Sequence, residues 1–362
     1  MDKQFDYLAF IGRFQPFHNG HYEVIKRALR LAEKVIIIFG SARRARNIKN
    51  PWNVAERQVM VSACFPKEVA AGRLIFSSVV DRAYNDQQWA AEVQQAVDAS
   101  IAETAEKPKT ASRLRLGIIG HEKDGSSYYL KLFPQWQRVD VANSAGLSAT
   151  EIRAYYFGQN EGSSETSSNG TRLLLQSALP GPVFEFLDAF RQAPYFKGLS
   201  EEYRFIQDYR SQFASLKYPP IFQTVDAVVV QAGHILLVQR KAMPGAGLWA
   251  LPGGFLQEDE RLVEGCLREL REETRLKTPL PVLRGGIRES RRFDDPERSL
   301  RGRTITDAFL IQLEPTEEGL YPVRGGDDAA KARWFPIAQA LEMDEQFFED
   351  HLDIIRYFIG QL

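Results

Sequence analysis

The stretch GFLQEDERLVEGCLRELREETRL, which runs from Gly254 to Leu276, decides the fold of the C-terminal half of the chain. It overlaps the segment Leu251-Pro252-Gly253-Gly254, whose proline and paired glycines indicate a turn. Apolar residues then recur at the spacing of an α-helix, at Leu262, Val263, Cys266, Leu267 and Leu270. The sequence therefore predicts a turn followed by an amphipathic helix.

Three carboxylates lie on one face of this predicted helix. Glu269, Glu272 and Glu273 occupy positions i, i+3 and i+4, which are neighbours on a helix surface. Like charges this close repel one another and raise each other's pKa. A hard divalent cation with oxygen ligands removes the repulsion, and Mg²⁺ is the usual one where phosphates are substrates. A solvated acidic face is the alternative, but the apolar stripe and the adjoining Gly-Gly turn favour a metal site.

The spacing resembles the Nudix box, G-x5-E-x7-R-E-U-x-E-E-x-G-U, in which U is aliphatic. The matching residues are Gly254, Glu260, Arg268, Glu269, Leu270, Glu272, Glu273 and Leu276. Arg275 departs from the pattern, because it replaces the glycine that usually lets the chain leave the helix. The resemblance implies Mg²⁺-dependent hydrolysis of a nucleoside diphosphate linked to another group, with Mn²⁺ as an alternative metal. It also implies that the three glutamates bind the metal, that Arg268 orients them and that Gly254 supports them from the turn.

Composition describes an ordinary globular chain. Its 362 residues suffice for two or three domains, and its net charge of −1 argues against a general nucleic-acid or membrane-surface binder. The two cysteines, Cys64 and Cys266, imply no disulfide framework and favour a reducing compartment. No apolar run approaches the ~20 residues of a membrane helix, and the N-terminus lacks the marks of a signal peptide. We expect a cytoplasmic enzyme, and homo-oligomer formation is left open.

The N-terminal half alternates strand and helix patterns. Strands are predicted at 6–12, 34–41, 73–80 and 113–120, with one helix after the first strand and another at 89–104. This alternation predicts a doubly wound parallel α/β sheet. Neither GxGxxG nor GxxxxGK[ST] occurs, so the dinucleotide-oxidoreductase fingerprint and the P-loop are both missing.

A histidine pair follows the first predicted strand, in the segment His18-Asn19-Gly20-His21. Ligands of such sheets bind at the carboxyl ends of the strands, and the second histidine is predicted to open the next helix, whose N-terminus favours anions. Gly20 lets a phosphate approach the backbone. A capping or core role is the alternative, but two of the five histidines of the chain share this turn, which favours a phosphate site.

The segment Ser148-Ala149-Thr150-Glu151-Ile152-Arg153 is a predicted capping box, with Ser148 as the N-cap and Glu151 at N3. Such a cap needs no ligand. It also leaves an open helix N-terminus with two hydroxyl groups and Arg153 one turn in, which suits the β- and γ-phosphates of a nucleotide. The two interpretations are compatible.

Together these motifs resemble the HxGH nucleotidyltransferase superfamily, whose second signature, SSTxxR, has Ala149 in place of one serine here. The surrounding segments GRFQPFHNGH, FGSA, NPWNVAERQ and DRAYN resemble nicotinamide-mononucleotide (NMN) adenylyltransferases of the archaeal-like type. The segment GHEKDGSSYYLKLFPQW further resembles the bacterial bifunctional family in which this enzyme is fused to a Nudix domain.

The resemblance implies that the phosphate of NMN attacks the α-phosphate of ATP and that pyrophosphate leaves. It assigns the triphosphate to His18, His21 and Arg153, with Mg²⁺ bridging it. Further nucleotide-binding residues are expected at Gly12, Arg13, Phe14, Gly20, Ser41, Gly120, His121, Lys123, Ser148 and Thr150. NMN-binding residues are expected at Asp81, Tyr84, Asn85 and Trp89. Trp89 is interpreted equally well as a core anchor, and His121 and Lys123 as parts of a solvated loop.

We predict a nucleotidyltransferase domain at 1–192, a helical linker at 193–219 and a Nudix domain, an αβα sandwich by resemblance, at 220–362. Residues 158–170 are predicted to form a flexible loop, and helices are predicted at 182–190 and 200–216. Strands are expected at 224–230, 234–239, 303–313 and 333–335, with a closing helix that ends near 359. The arginine-rich segment 288–303 is predicted to be a substrate or interface loop in which Arg301 clamps the diphosphate. Asp328 is the candidate for a further acidic residue, and a simple turn is the alternative there.

These features predict a bifunctional enzyme of NAD metabolism that acts on ATP, NMN and, most simply, ADP-ribose, without nucleic-acid or membrane partners. Three alternatives are weighed. In the first, the acceptor substrate of the N-terminal domain is phosphopantetheine rather than NMN. In the second, the Nudix domain senses a nucleotide without cleaving it. In the third, the chain is a relative of tRNA synthetases. The last alternative lacks a KMSKS-like stretch and a basic surface.

Overall fold

A computed structural model describes residues 3–104, 114–121, 130–141, 146, 148–158, 165–317 and 319–360. The chain divides into two compact units, Met1–Ser200 and Glu201–Leu362, called here the N-terminal and C-terminal units. Among the described residues, no helix has both the length and the apolar character needed to cross a lipid bilayer.

The N-terminal unit is built on a five-stranded sheet in which every pairing is parallel. Its strands are β1 (Phe5–Gly12), β2 (Ala32–Phe39), β3 (Leu74–Ser78), β4 (Leu116–His121) and β5 (Gln137–Val141). They lie in the order β3-β2-β1-β4-β5, so the chain reverses its direction of growth beside β1. The central strands are apolar on both faces because helices cover both sides of such a sheet. The prediction of a doubly wound parallel sheet is confirmed.

The helices of this unit are α1 (Asn19–Leu31), α2 (Val54–Cys64), α3 (Pro66–Ala70), α4 (Asp86–Thr104), α5 (Ala149–Phe157), α6 (Glu165–Ala178) and α7 (Gly181–Phe190). A further helix, α8 (Pro194–Ser211), contains the division between the units. It begins and ends several residues earlier than the helix predicted at 200–216.

The prediction of a loop at 158–170 is wrong for its second half, because α6 begins at Glu165. Residues 159–164 lie outside the described part of the chain. The serines, asparagine and glycine of this segment have weak helix propensity, which is only a weak prior. Leu175 and Leu179, one helical turn apart, are each 3% exposed. Their burial stabilises the helix that the polar first turns would not form alone.

The C-terminal unit contains a seven-stranded mixed sheet. Its strands are β6 (Phe222–Gln231), β7 (His234–Arg240), β8 (Trp249–Ala250), β9 (Gly253–Phe255), β10 (Ile287–Phe293), β11 (Thr304–Leu313) and β12 (Ala329–Pro336). The order β10-β11-β6-β7-β12 forms the main path, β8 pairs with β7 and β9 pairs with β6. The predicted hairpin is present, since β6 and β7 are antiparallel through Val230 and Ile235.

The helices of this unit are α9 (Leu262–Thr274), α10 (Leu280–Gly285), α11 (Ile337–Ala340) and α12 (His351–Ile359), with a short 3-10 helix at Asp344–Gln346. The predicted amphipathic helix is α9. Its side chains Cys266, Leu267 and Leu270 are buried in one cluster with residues of β6 and β11. Burial of this apolar stripe fixes α9 against the sheet and so fixes which face carries the carboxylates.

The prediction of a loop at 288–303 is wrong for its first part, which forms the edge strand β10 paired antiparallel with β11. Arg288 and Arg292 are exposed, whereas Phe293 is fully buried against α12. The arginines suggested a loop because they hide the alternation of an edge strand. Charged side chains on an edge strand also discourage pairing with another chain.

The helix α9 ends as the Nudix box requires, although Arg275 replaces its glycine. Arg275 has φ 53° and ψ 25°, the left-handed conformation that favours glycine, and its backbone N–H donates to the Arg271 carbonyl at 3.0 Å. The arginine therefore keeps the exit turn at a cost of about 1 kcal/mol in backbone energy.

We expect substitutions at Arg275 and at the helical, exposed Arg271 to rank in opposite orders. At Arg275, glycine should change the free energy of unfolding by less than about 1 kcal/mol, while valine, which is β-branched, should lower it by about 1 kcal/mol or more. At Arg271, glycine should be the worse residue by roughly 0.5 kcal/mol. Urea-induced unfolding of the four variants measures both orders, and the same order at both positions would contradict this account.

Candidate active sites

The first candidate site lies at the carboxyl edge of the parallel sheet, where β1 ends and α1 begins. The histidine pair stands at this junction, but the helix begins at Asn19, so His18 is the N-cap and His21 lies in the first turn. His18 Nδ1 accepts from the Gly20 N–H at 3.1 Å, and His21 Nδ1 accepts from the His18 N–H at 3.3 Å. The two imidazole rings stack with their centroids 3.7 Å apart. His18 is 4% exposed and His21 is half-buried. The helix therefore begins two residues before His21, where the sequence predicted its start.

The second nucleotidyltransferase motif is tied to the same loop through Arg153. The Arg153 guanidinium, which is buried, donates to the Gln15 carbonyl at 2.5 Å and to Thr150 Oγ1 at 3.2 Å. The predicted capping box is present, since the Ser148 N–H donates to Glu151 Oε2 at 2.7 Å and the Glu151 N–H donates to Ser148 Oγ at 3.3 Å. The structure thus brings the segment that contains Arg153 to the loop that precedes His18.

Arg57 of α2 is a residue of this edge that the sequence did not single out. It is 1% exposed, and its guanidinium donates to the carbonyls of Arg13 and Gly40 at 2.7 Å each and to that of Ser41 at 3.3 Å. Burial lowers its pKa to about 10. Arg57 therefore joins the ends of β1 and β2, where three of the predicted nucleotide-binding residues lie: Gly12, Arg13 and Ser41.

The residues predicted to bind NMN occupy the segment between β3 and α4. Asp81 Oδ1 accepts from the Ser41 N–H at 3.0 Å, which links this segment to the end of β2. Asn85 Oδ1 accepts from the Gln88 N–H at 3.0 Å in the first turn of α4, and Tyr84 beside it is half-buried. Trp89 packs against the core with its ring centroid 6.0 Å from that of Phe133. Trp89 therefore anchors α4 to the core.

The last predicted residues of this site lie on β4 and after it. Gly120 pairs with Asp140 in the sheet, and the backbone of His121 ends the strand. The side chain of His121 and the whole of Lys123 lie outside the described part of the chain.

The second candidate site lies on α9, where Arg268 binds three carboxylates. Its guanidinium donates to Glu260 at 2.6 and 2.9 Å, to Glu269 at 2.8 Å and to Glu272 at 3.0 Å. These contacts lower the pKa of Glu260 and raise that of Arg268. The predicted orienting role of Arg268 has its contacts in place.

Glu273 is held differently from its two neighbours. It is 6% exposed, and its Oε2 accepts from the Gly253 N–H at 2.9 Å. Burial and a hydrogen bond with the Asp328 carboxyl raise the pKa of Glu273 to about 10. The structure therefore brings Asp328 into contact with the Nudix helix. Two carboxyl groups in contact require a shared proton or a cation.

The glycines of the predicted turn let the backbone approach these carboxylates. A Cβ on Gly254 would lie 2.5 Å from Glu269 Oε1, so a side chain at this position would displace that carboxylate. β9 is thereby held against α9, with Gly253 bonded to Glu273 and the Phe255 carbonyl bonded to Arg268.

The oxygen donors fit a hard divalent cation in kind. Glu269 and Glu273 are largely buried, burial raises the pKa of both, and Glu273 contacts Asp328. In the part of the chain that the structure describes, however, no three His, Cys, Asp or Glu side chains are arranged to hold an ion as they stand. Arg268 occupies Glu269 and Glu272 instead. Binding of a cation therefore requires these side chains to turn, while the backbone remains in place.

Two arginines accompany this site. The Arg301 guanidinium carbon lies 5.1 Å above the Phe255 ring, and its buried Nε has no hydrogen-bond partner. Arg240, which the sequence did not single out, pairs in the sheet with Ala329, next to Asp328. Its Nε donates to the Pro244 carbonyl at 2.9 Å, and burial together with the neighbouring Arg301 lowers its pKa. A strand-end arginine carries no sequence signal that distinguishes it from an exposed one.

Comparison with known proteins relates both halves of the chain to known families. A cytidylyltransferase-like family model matches residues 9–155, and a NUDIX domain model matches residues 221–358. The structure matches that of a bifunctional NMN adenylyltransferase/ADP ribose pyrophosphatase from Francisella tularensis, complexed with AMP and a manganese ion. The match has a TM-score of 0.82 and 32% identity, and it covers 99% of each chain. The chain belongs to this bifunctional family.

Each half of the chain also has a relative in Acinetobacter baylyi. A nicotinamide/nicotinic acid mononucleotide adenylyltransferase is 43% identical over 203 residues, which cover 56% of this chain and 95% of the relative. An ADPR-responsive transcriptional repressor, NtrR, is 30% identical over 164 residues, which cover 43% of this chain and 60% of the relative.

We expect Arg57→Met to loosen the carboxyl edge of the parallel sheet without touching a ligand. Three carbonyls, two of them buried, would lose their donor, which lowers the free energy of local opening by roughly 2–4 kcal/mol. Hydrogen exchange of peptides that contain residues 13–15 and 40–45 measures the loss. Arg27→Met, on the exposed side of α1, is the matched control. Equal protection in the two variants would contradict the role given to Arg57.

Proposed function

We propose that the chain carries out two reactions of NAD metabolism in its two units. In the N-terminal unit, a phosphate oxygen of NMN forms a bond to the α-phosphorus of ATP, and the bond to the β-phosphate breaks, which gives NAD and pyrophosphate. In the C-terminal unit, water cleaves the diphosphate of ADP-ribose into AMP and ribose 5-phosphate. The observation that carries this proposal is the likeness over 99% of both chains to a protein with both activities.

In the first reaction, the protein positions two polyanions and stabilises the charge that develops between them. His18 and His21 lie at the start of α1, and Arg153 is bonded to the same loop, so the three are placed to bind the triphosphate. Ser148 and Thr150 add hydroxyl groups at the N-terminus of α5. The contacts of Arg57 support this assignment, because they hold the backbone around the site in one arrangement.

The NMN half is assigned to the segment that begins at Asp81. Its bond to the Ser41 N–H holds it beside the nucleotide-binding loop. Trp89 presents an aromatic ring from the first turn of α4, and such a ring attracts the cationic pyridinium of NMN. Packing of the same ring against Phe133 fixes its position before the ligand arrives.

In the second reaction, Glu269, Glu272, Glu273 and Asp328 are assigned as the ligands of the metal. A divalent cation, Mg²⁺ or Mn²⁺, would neutralise phosphate charge in both units and would lower the pKa of the attacking water in the C-terminal unit. Arg268 holds Glu269 and Glu272 in reach until the cation binds. Two arginines are assigned to the diphosphate: Arg240, which interacts electrostatically with Asp328 and Glu273, and Arg301, which lies above the Phe255 ring of β9.

The similarity to the ADPR-responsive repressor favours a second candidate for the C-terminal unit, a domain that binds ADP-ribose without cleaving it. The presence of all three box glutamates and of Arg268 favours hydrolysis. The two candidates differ in whether product forms, so one assay distinguishes them. The cytoplasmic location expected from the sequence is retained as a proposal, in keeping with the free thiols of Cys64 and Cys266.

We expect His21→Ala and Glu273→Gln to separate the two activities. His21→Ala should reduce NAD formation by about a hundredfold or more, because a side chain that donates a hydrogen bond to the triphosphate is lost. It should leave ADP-ribose hydrolysis unchanged. Glu273→Gln should reduce ADP-ribose hydrolysis and leave NAD formation unchanged. Phosphorus NMR of the purified protein with Mg²⁺, given ATP and NMN and then ADP-ribose, follows both reactions.

Damage to both activities by either substitution would refute the independence of the sites. Binding of ADP-ribose without product, by the unaltered protein, would favour the sensing domain over the hydrolase. Phosphopantetheine in place of NMN provides the acceptor control: its adenylylation would refute the assignment of the N-terminal unit.

We expect Mn²⁺ to stabilise the C-terminal unit through the assigned carboxylates. An excess of a hundred times the dissociation constant should raise the free energy of unfolding by about 2.7 kcal/mol. Asp328→Asn and Glu273→Gln should each remove most of this increase, whereas Glu258→Gln, at an exposed loop position, should keep it. Thermal unfolding with and without the metal measures the effect. An undiminished increase in all three variants would place the ion elsewhere.

A further inference from the structure

A groove of about 1080 Å³ lies beside α9, and Arg268 and Glu272 of the second candidate site are among its lining residues. Its walls are α9, α10 and the segment 322–324. Leu283 of α10 belongs to the same buried cluster as Leu267 and Leu276, and the Arg324 N–H donates to the Thr274 carbonyl at 2.9 Å. The walls are therefore fixed by the core, as in a pre-formed binding site.

Six cations line this groove. Arg268 is bonded to carboxylates of the second candidate site, and the other five are exposed: Arg271, Arg275, Lys277, Arg284 and Arg324. In the ranges that the structure describes, none of the five forms an ion pair or a side-chain hydrogen bond. The acidic residues of the lining are already bonded, since Glu264 accepts from the Arg261 N–H and Glu272 from Arg268.

This arrangement differs from that of other arginines in the same unit. Arg298 is paired with Asp350 at 2.8 Å and Arg356 with Asp344 at 2.7 Å. The chain as a whole has 46 basic and 47 acidic residues, so a cluster of unpaired cations is a local excess. Like charges around one concave surface create a positive potential that a bound anion relieves.

The dipole of α9 explains only part of this cluster. Cations are favoured in the last turn of a helix, which accounts for Arg271 and Arg275. Lys277, Arg284 and Arg324 lie beyond that turn, on α10 or in connecting segments, and still line the same groove.

The lining selects the kind of anion. Guanidinium groups match the geometry of phosphate oxygens, and the volume exceeds that of a single phosphate several-fold. The remaining lining is aliphatic, with Leu276, Leu280 and Val323, and it contains no aromatic side chain among the described residues. Single-stranded nucleic acid would need aromatic surfaces on which its bases stack. We propose that the groove binds a compact polyphosphate, either inorganic or the tail of a nucleotide.

Charge reversal at Arg271 and Arg324, which are assigned to neither of the proposed reactions, tests this proposal. Inorganic triphosphate is titrated into the full chain by calorimetry, in the presence of EDTA. In the double variant Arg271→Glu/Arg324→Glu, binding of triphosphate to the groove should weaken at least about tenfold. Lys331→Glu/Arg333→Glu carries the same charge change on exposed positions of β12 and should bind as the unaltered chain does. Other triphosphate sites are common to all three proteins, so the difference between the variants reports the groove.

Two further arms define the ligand and guard against misfolding. ATP is titrated in the same way: an equal loss supports recognition through phosphates alone, and a larger loss supports a nucleotide. Arg271→Gln/Arg324→Gln removes the charges without adding new ones and should show the same loss with an unchanged unfolding midpoint. Identical isotherms for the groove variants and the control overturn the proposal. It is also overturned if only binding of a single-stranded oligonucleotide, and not of triphosphate, is lost.

Discussion

Crowding of negative charge at α9 is the constraint on which the C-terminal unit depends. Two carboxylates at hydrogen-bond distance repel by about 5 kcal/mol at an effective dielectric constant of about 20. An exposed ion pair contributes at most about 1 kcal/mol, so it cannot offset that repulsion. Two features reduce this repulsion. The Arg268 guanidinium donates hydrogen bonds to Glu260, Glu269 and Glu272 together, and the pKa of Glu273 is raised. Crowded carboxylates of this kind favour binding of a dication, in keeping with the proposed hydrolysis of a diphosphate.

The N-terminal unit meets negatively charged ligands in a different way. Its edge is built mainly from backbone groups, helix N-termini and imidazoles, with Asp81 as a carboxylate beside them. The loops at this edge are held together by Arg57, whose guanidinium donates hydrogen bonds to three of their carbonyls. The cation is bonded by neutral oxygens, so it adds positive potential near the predicted phosphate site while it holds the loops. Support and electrostatics thus come from one buried side chain.

Much of this arrangement could be predicted, and the failures have physical reasons. The doubly wound sheet, the hairpin into the second unit and α9 follow from apolar periodicity, which reports burial directly. The edge strand β10 and the first turns of α6 were missed, because both segments are rich in polar residues, which hide the apolar pattern. Arg57 and Arg240 were missed for a related reason: burial of an arginine depends on carbonyls that are distant in sequence. Motif spacing located Arg268 and the glutamates, but not the contact between Glu273 and Asp328, which joins residues more than fifty positions apart.

The left-handed residue at the end of α9 shows that the box specifies a dihedral angle at that position rather than a particular amino acid. A glycine there has no side chain and can take no part in recognition. Arg275 adopts the same backbone and in addition extends a guanidinium toward the neighbouring groove. Relaxing one letter of an otherwise strict motif has thus given this chain a positive charge at a position where glycine would supply none.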